Sequence, residues 1–227
     1  LLDPPSAEMV TEAAKLIARR GTFNLVGREP LDDRVQIDVG RIHYDYTAYV
    51  GNPGPDIAAS YGEEGNRCEL RAGGTAVFVG AAGPMGQMHV QRAIELTEGP
   101  RLLVATDINA DRLEVLRDSF VPLAEERGKR LLLLNPAQAG ESLEDLVARE
   151  TGGRGADDVV VCVPAAPLMA SSAEVMAPDG MLVLFAGVPN GTMAPLDMSD
   201  VYLSNAQYTG TSGSTLDDQR MVIRKTV

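Results

Sequence analysis

Between Thr75 and Ala186 the chain alternates short, unbroken apolar runs with longer segments of helical periodicity. The runs are Thr75-Ala-Val-Phe-Val79, Leu102–Asp107, Leu131–Leu134, Asp158–Val163 and Gly180–Ala186, and Gln207–Thr211 reads as a sixth. A strand with one wet face alternates apolar and polar residues. A run that is apolar throughout is covered on both faces, which is the signature of a parallel sheet. Between the runs, Gln87–Leu96, Asp111–Leu123, Glu144–Glu150 and Ala166–Met176 carry helical spacing, and Pro122 is expected to kink or end the second of these. The pattern predicts an α/β fold, a doubly wound parallel sheet of Rossmann type, over residues 71–227.

Residues 1–70 read as a partial second α/β unit. Pro5–Arg20 has helical spacing, with Ser6 as its cap and Gly21 just past its end, and Thr22–Gly27 and Tyr46–Gly51 are strand-like. A shift of about 160 residues sets Arg20-Gly-Thr-Phe-Asn-Leu-Val-Gly27 on Asp179-Gly-Met-Leu-Val-Leu-Phe-Ala186, Tyr46 on Tyr208 and Asp56 on Asp218. The segment therefore looks like the last third of one unit placed before a nearly complete second one. A polar, glycine-rich linker, Gly62–Gly74, joins them. The chain opens without Met and closes on a helical pattern without a cap, which reads as a piece of a longer protein.

The turn Gly80-Ala-Ala-Gly83-Pro-Met-Gly86 follows a strand and opens a helix. A dinucleotide pyrophosphate needs close approach to backbone N–H groups at a helix N-terminus, where the dipole favours an anion and a Cβ stands in the way. Gly80, Gly83, Pro84, Met85 and Gly86 are the candidate cradle, with Gly83 at the closest approach and Gly86 letting the helix pack near the strand. Ala81 stands where the strict G-x-G-x-x-G pattern has its first glycine. Asp107 ends the next strand, where a carboxylate accepts both hydroxyls of an adenosine ribose and repels a 2′-phosphate.

Other classes are tested by the letters. The formal net charge is −12, which opposes nucleic-acid wrapping, and no apolar run approaches the ~20 residues of a membrane helix. Two cysteines, Cys68 and Cys162, make no disulfide framework, so a cytoplasmic setting is expected. Two histidines and two cysteines nearly exclude a protein-only Cys/His zinc site. Tyr-x-x-x-Lys, the triphosphate-binding loop and the G-x-S-x-G turn are absent. Cys162 is expected as a buried thiol, His89 as a residue facing out, and His43 opposite Asn205 without a catalytic role. Glu125-Glu126 and Asp157-Asp158 are expected on solvated faces. A methyltransferase that uses S-adenosylmethionine and a non-catalytic cofactor-binding module are the alternatives to a dehydrogenase.

Five ordered stretches resemble the cofactor domain of zinc-dependent alcohol and polyol dehydrogenases of the medium-chain dehydrogenase/reductase superfamily. They are Val77–Gly86, Ala105–Leu113, Leu134-Asn-Pro136, Thr151–Val160 and Phe185–Pro189. The resemblance implies transfer of a hydride between nicotinamide and an alcohol, polyol or sugar-derived carbonyl, with NAD favoured over NADP. It implies that Asp107 holds the adenosine ribose beside Arg112. Val163 and Pro164 would border the adenosine, Ala186, Gly187 and Val188 the nicotinamide, and Gly210 and Thr211 its carboxamide. No catalytic residue is assigned, because the family's zinc is held in a separate domain. In dimers of the family the sheets meet at their sixth strands, so Tyr46–Gly51 and Gln207–Ser212 are expected to pair edge to edge, within the chain or between two copies.

Overall fold

The structure, a computed structural model, describes residues 6–62 and 67–210, together with Arg220 and Ile223. In chain order, α1 (Ala7–Ala14), β1 (Thr22–Val26), β2 (Val35–Asp38), α2 (Val39–Tyr44) and β3 (Ala48–Asn52) come first, followed by a 3-10 turn at Ile57–Tyr61. Then come β4 (Thr75–Val79), α3 (Pro84–Glu95), β5 (Leu102–Thr106), α4 (Ala110–Glu126), β6 (Arg130–Leu134), α5 (Leu143–Thr151) and β7 (Ala156–Val161). The last are α6 (Ala166–Ala173), β8 (Met176–Leu184), β9 (Met193–Leu196), α7 (Ser199–Leu203) and β10 (Gln207–Thr209). Among the described residues no helix is long and apolar enough to cross a membrane.

Eight strands form one sheet in the order β1-β3-β10-β8-β7-β4-β5-β6, parallel except at β3–β10. From β6 to β10 this is the doubly wound order, with the winding reversed between β4 and β7, where such sheets open a crevice at their carboxyl ends. The apolar runs are buried on both faces. Val77 and Val79 pack toward α5 and α6, while Ala76 and Phe78 pack toward α3 and α4. Buried Lys129 closes α3, its ammonium donating to the carbonyls of Ala93 (2.6 Å) and Leu96 (2.7 Å).

Several boundaries differ from the sequence reading. Helix α1 stops at Ala14 rather than Arg20, because the Arg41 guanidinium takes the carbonyls of Ala14, Lys15 and Ile17 that a continuing helix would use. Helix α4 continues through Pro122 to Glu126; the proline is exposed, so water can take the carbonyl that its missing N–H leaves. Helix α6 ends at Ala173, and Met176 already belongs to β8. The sequence reading did not contain β2, β9, α2 or α7. Part of the linker, the end of the expected strand Gln207–Ser212, and Asp218 lie outside the described residues.

The repeat is structural. An offset of 159 residues carries Ala7–Ala14 onto Ala166–Ala173. The same offset carries the β1–β3 pair Thr22↔Ala48 onto the β8–β10 pair Met181↔Gln207. It also matches residues in the left-handed region, Arg20 (φ 62°) with Asp179 (φ 61°) and Tyr46 (φ 57°) with Asn205 (φ 53°). The two copies meet about a pseudo-two-fold. Tyr49 pairs with Tyr208, its own counterpart, and in the separate antiparallel β2–β9 ladder Gln36 faces its counterpart Pro195. The edge-to-edge pairing of the sixth strands thus occurs within the chain. The offset sets His43 against Tyr202 rather than against Asn205.

The β2–β9 ladder gives a test. Ile37 is fully buried opposite Ala194. Ile37→Asp buries an unpaired carboxylate there, at a cost of about 3 kcal/mol or more. We expect residues 6–62 to undock and the opened β10 edge to self-associate, read as a monomer-to-dimer shift in sedimentation. A variant that remains monomeric with an unchanged thermal transition contradicts the role given to this ladder.

Candidate cofactor-binding site

At the carboxyl end of β4 the three glycines of the turn have different surroundings. Gly80 has φ +76°, and a Cβ there would run into the Val163 side chain. A Cβ on Gly86 would lie 2.5 Å from the Gly80 carbonyl oxygen and 2.6 Å from Ala81 Cα, so this glycine lets α3 sit against the turn. A Cβ on Gly83 would meet nothing within 4 Å except the Gly80 carbonyl oxygen, at 3.8 Å. Its Cβ direction is open space at the head of α3. Ala81 is not a positive-φ residue; Gly80 takes the left-handed conformation, so the methyl that breaks the strict fingerprint costs no backbone strain.

Helix α3 begins on Pro84, with Gly83 as a cap that offers no side-chain bond. The N–H groups of Met85 and Gly86 therefore have no partner within the helix. Pro84 and Met85 are exposed. Asp107 leans onto this turn from the end of β5. Its Oδ2 accepts the Ala82 N–H at 3.1 Å and its Oδ1 the Asn109 N–H at 3.0 Å. Both oxygens are held by backbone donors, and each keeps a lone pair for a further hydroxyl. The Asn109 side chain caps α4 by accepting the Arg112 N–H at 2.9 Å. Arg112 is exposed in the first turn of that helix and forms no ion pair with Asp107.

Val163 overhangs Gly80 from the end of β7, and Pro164 beside it is exposed. These residues, the turn and Asp107 gather around the reversal between β4 and β7. Ala186 and Gly187 leave β8 half-buried, with the Ala186 N–H donating to the Val161 carbonyl at 3.0 Å. Val188 departs from the reading of it as a lining side chain: only 5% exposed, it belongs to the core, and its backbone is what it can offer a ligand. Gly210 lies under α2, where a Cβ would be 2.9 Å from the Leu184 carbonyl oxygen and 3.2 Å from Ile42. Thr211 lies outside the described residues.

Two neighbours of Gly187 were invisible in the sequence. His43 and Tyr44 of α2 reach it from the partial unit. Their register against β8 depends on the fold of two distant segments, and no spacing announces it. Other candidates move. His89 does not face out but packs edge-on against Phe185, with ring centroids 4.4 Å apart; burial first, and then Arg92, lowers its pKa. Cys162 is partly buried, and burial pushes its thiol up to about 12, so it is no thiolate. Asp157 and Asp158 are not solvated. Strand β7 is buried along its whole length, so both sit inside it at the opposite end of the sheet, paired with Arg154 and Arg67 respectively. Among the described residues no group of three or more His, Cys, Asp or Glu side chains could hold a metal ion.

The profile of the family described as zinc-binding dehydrogenase matches residues 84–226. L-sorbose 1-phosphate reductase of Klebsiella pneumoniae is 32% identical over 155 residues, covering 68% of this chain and 36% of the relative. Mannitol-1-phosphate 5-dehydrogenase of Aliivibrio fischeri is 30% identical over 152 residues, covering 66% of this chain and 36% of the relative. The chain thus spans 36% of the length of each of these curated relatives. Among solved structures, an alcohol dehydrogenase from Thermotoga maritima is similar with a TM-score of 0.55 at 23% identity, covering 71% of this chain and 41% of that one. 2R,3R-butanediol dehydrogenase from Bacillus subtilis is similar with a TM-score of 0.52 at 17% identity, covering 70% and 40%. These two likenesses are of fold.

The unequal glycines separate binding from folding. Gly83→Val points its side chain into open space, so stability should fall by about 1 kcal/mol or less, the scale of a changed helix cap. Gly86→Ala drives a methyl into the turn backbone and should cost about 1–3 kcal/mol. Urea unfolding of the two variants checks the order; equal losses would contradict the roles assigned here.

Proposed function

The chain belongs to the zinc-binding dehydrogenase family, and on that premise we propose that residues 71–227 are a domain that binds NAD(H) for an oxidoreductase. The reaction passes a hydride between nicotinamide and an alcohol, polyol or sugar-derived carbonyl. One observation carries the reading. The head of α3 presents backbone N–H groups where Gly83 leaves room, and Asp107 is fixed by backbone donors beside it. A pyrophosphate fits the first feature and an adenosine ribose the second.

In this reading the N–H groups of Met85 and Gly86 hold the pyrophosphate, and Gly80 and Gly86 set the turn that aims them. Asp107 accepts the ribose hydroxyls, with Val163 and Pro164 along the adenosine. Ala186, Gly187 and the Val188 backbone border the nicotinamide, and Gly210 and Thr211 its carboxamide. When bound, the nicotinamide supplies the hydride chemistry; these residues bind and orient it. The described residues do not fit a zinc ion, so no step is assigned to one here. The two relatives are named for a phosphorylated sugar and a phosphorylated polyol, which supports a substrate of that class for the whole protein. Residues 1–70 are assigned as the partial copy and linker.

The preference for NAD follows from charge. Asp107 would lie against a 2′-phosphate, and the residue after it is Ile108, 75% exposed and without a cation. We expect NADH to bind at least about tenfold more tightly than NADPH, a difference of about 1.4 kcal/mol. Titration calorimetry of the 227-residue chain reads both. Equal or tighter NADPH binding would overturn the role of Asp107, and S-adenosylmethionine binding without NADH binding would overturn the reading as a whole.

A further inference from the structure

We propose that Tyr44, carried by α2 in the partial unit, is a binding residue of the complete unit's site, where its ring and hydroxyl meet the nicotinamide end of the cofactor. The proposal rests on the NAD(H) reading above. Helix α2 reaches beyond its own half. It crosses the pseudo-two-fold and lies on β8, β9 and β10. Asp38 fixes its start: Oδ1 accepts the Arg41 N–H at 3.2 Å, and Oδ2 accepts the Gly191 N–H at 2.8 Å. One carboxylate thus ties the helix to the loop that follows Val188. Gly40 brings the α2 backbone onto that loop, since a Cβ there would be 2.7 Å from the Val188 carbonyl oxygen. His43 anchors the other end, with Nδ1 3.2 Å from the Leu184 carbonyl oxygen.

These contacts set Tyr44 beside Gly187. A Cβ on Gly187 would lie 2.5 Å from Tyr44 Oη and 2.8 Å from Cζ, so only glycine leaves the ring its place. The His43 ring stands nearly perpendicular to it, at 87° and 4.6 Å between centroids. The phenol is held on two sides and still 44% exposed. A tyrosine with a fixed body and a wet tip is suited to ligand contact.

Packing does not call for that hydroxyl. The counterpart of Tyr44 at the 159-residue offset is Leu203, on the helix that docks on the other half in the same way. The counterpart of His43 is Tyr202, and its hydroxyl is consumed by a hydrogen bond to the Glu29 carbonyl at 2.6 Å. The half that faces Ala186–Val188 therefore carries an accessible phenol where its copy manages with leucine. A phenol there can donate to a carboxamide oxygen or accept from its NH2 group, and its ring edge can lie against the pyridine ring.

ADP-ribose has the adenosine and pyrophosphate of NADH and lacks nicotinamide, so it separates the two ends of the site. Titration of the 227-residue chain with both ligands gives the test. Tyr44→Ala should weaken NADH by about tenfold and leave ADP-ribose within about twofold. Tyr44→Phe keeps the ring against Gly187 and His43 and should weaken NADH by about threefold, the scale of one hydrogen bond. Equal weakening of both ligands, or none of either, overturns the role of Tyr44 while leaving the NAD(H) reading standing. Wild-type chain that binds neither ligand overturns that reading and the proposal with it.

Discussion

The antiparallel meeting of β3 and β10 is the constraint on which the rest of the sheet depends. Each half is wound in parallel, and two such halves related by a two-fold can join at equivalent edges only head to tail. Among the described residues the backbone bridge is a single pair, Tyr49 and Tyr208, at 3% and 0% exposure. Burial pushes the Tyr49 phenol up to about 12 and raises that of Tyr208 as well, so both stay neutral across the seam. So short a bridge adds few hydrogen bonds. The joint is carried by the β2–β9 ladder and by α2 and α7, each docked on the other copy's strands. Without it the edge of β10 would stand open for pairing.

A second tie lies at the opposite end of the strands. Arg67 donates to Asp158 Oδ1 at 2.8 Å and to the Asp157 carbonyl at 2.9 Å, while its backbone exchanges two hydrogen bonds with the Gln207 amide. Asp157 accepts the Thr75 N–H at 2.8 Å. The entry to β4, the start of β7 and the start of β10 are thereby stitched together through buried carboxylates. Burial pushes the Asp158 carboxyl up, and the Arg71 N–H and Arg67 oppose that shift. A buried pair of this kind adds little net stability, yet losing one partner strands the other.

Much of the fold was legible because the parallel strands are buried on both faces. Strand β4 coincides with the apolar run Thr75–Val79, and the doubly wound order follows from strands alternating with helices. The repeat was legible too, though Tyr46 was set on Tyr208, three residues past its structural counterpart Asn205. What escaped was short and non-local. Val35-Gln-Ile-Asp38 and Met193-Ala-Pro-Leu196 are four residues each, one contains a proline, and each is a strand because the other is beside it. The end of α1 escaped because Arg41, 27 residues beyond Ala14, takes the carbonyls there. The glycine turn and Asp107 were legible because their chemistry is local. Tyr44 was not, because its place beside Gly187 exists only once two distant segments have docked.

Some pairs match across the offset and others differ. Gly51 and Gly210 match, each with its Cβ direction closed by a neighbouring strand carbonyl, that of Leu25 or Leu184, and by the helix of the other copy. Gly21 and Gly180 match, each facing the carbonyl three residues earlier. These are packing positions. Three of the pairs that differ face the carboxyl end of the sheet. Arg28 stands at the counterpart of Gly187, Glu29 at that of Val188, and Leu203 at that of Tyr44. A side chain in place of Gly187 would have to displace the Tyr44 phenol from its position. At these three positions the two halves differ where the longer half faces Gly187 and the end of β8. Residues 6–62 thereby set α2 against the end of β8, with His43 on the Leu184 carbonyl and Tyr44 beside Gly187.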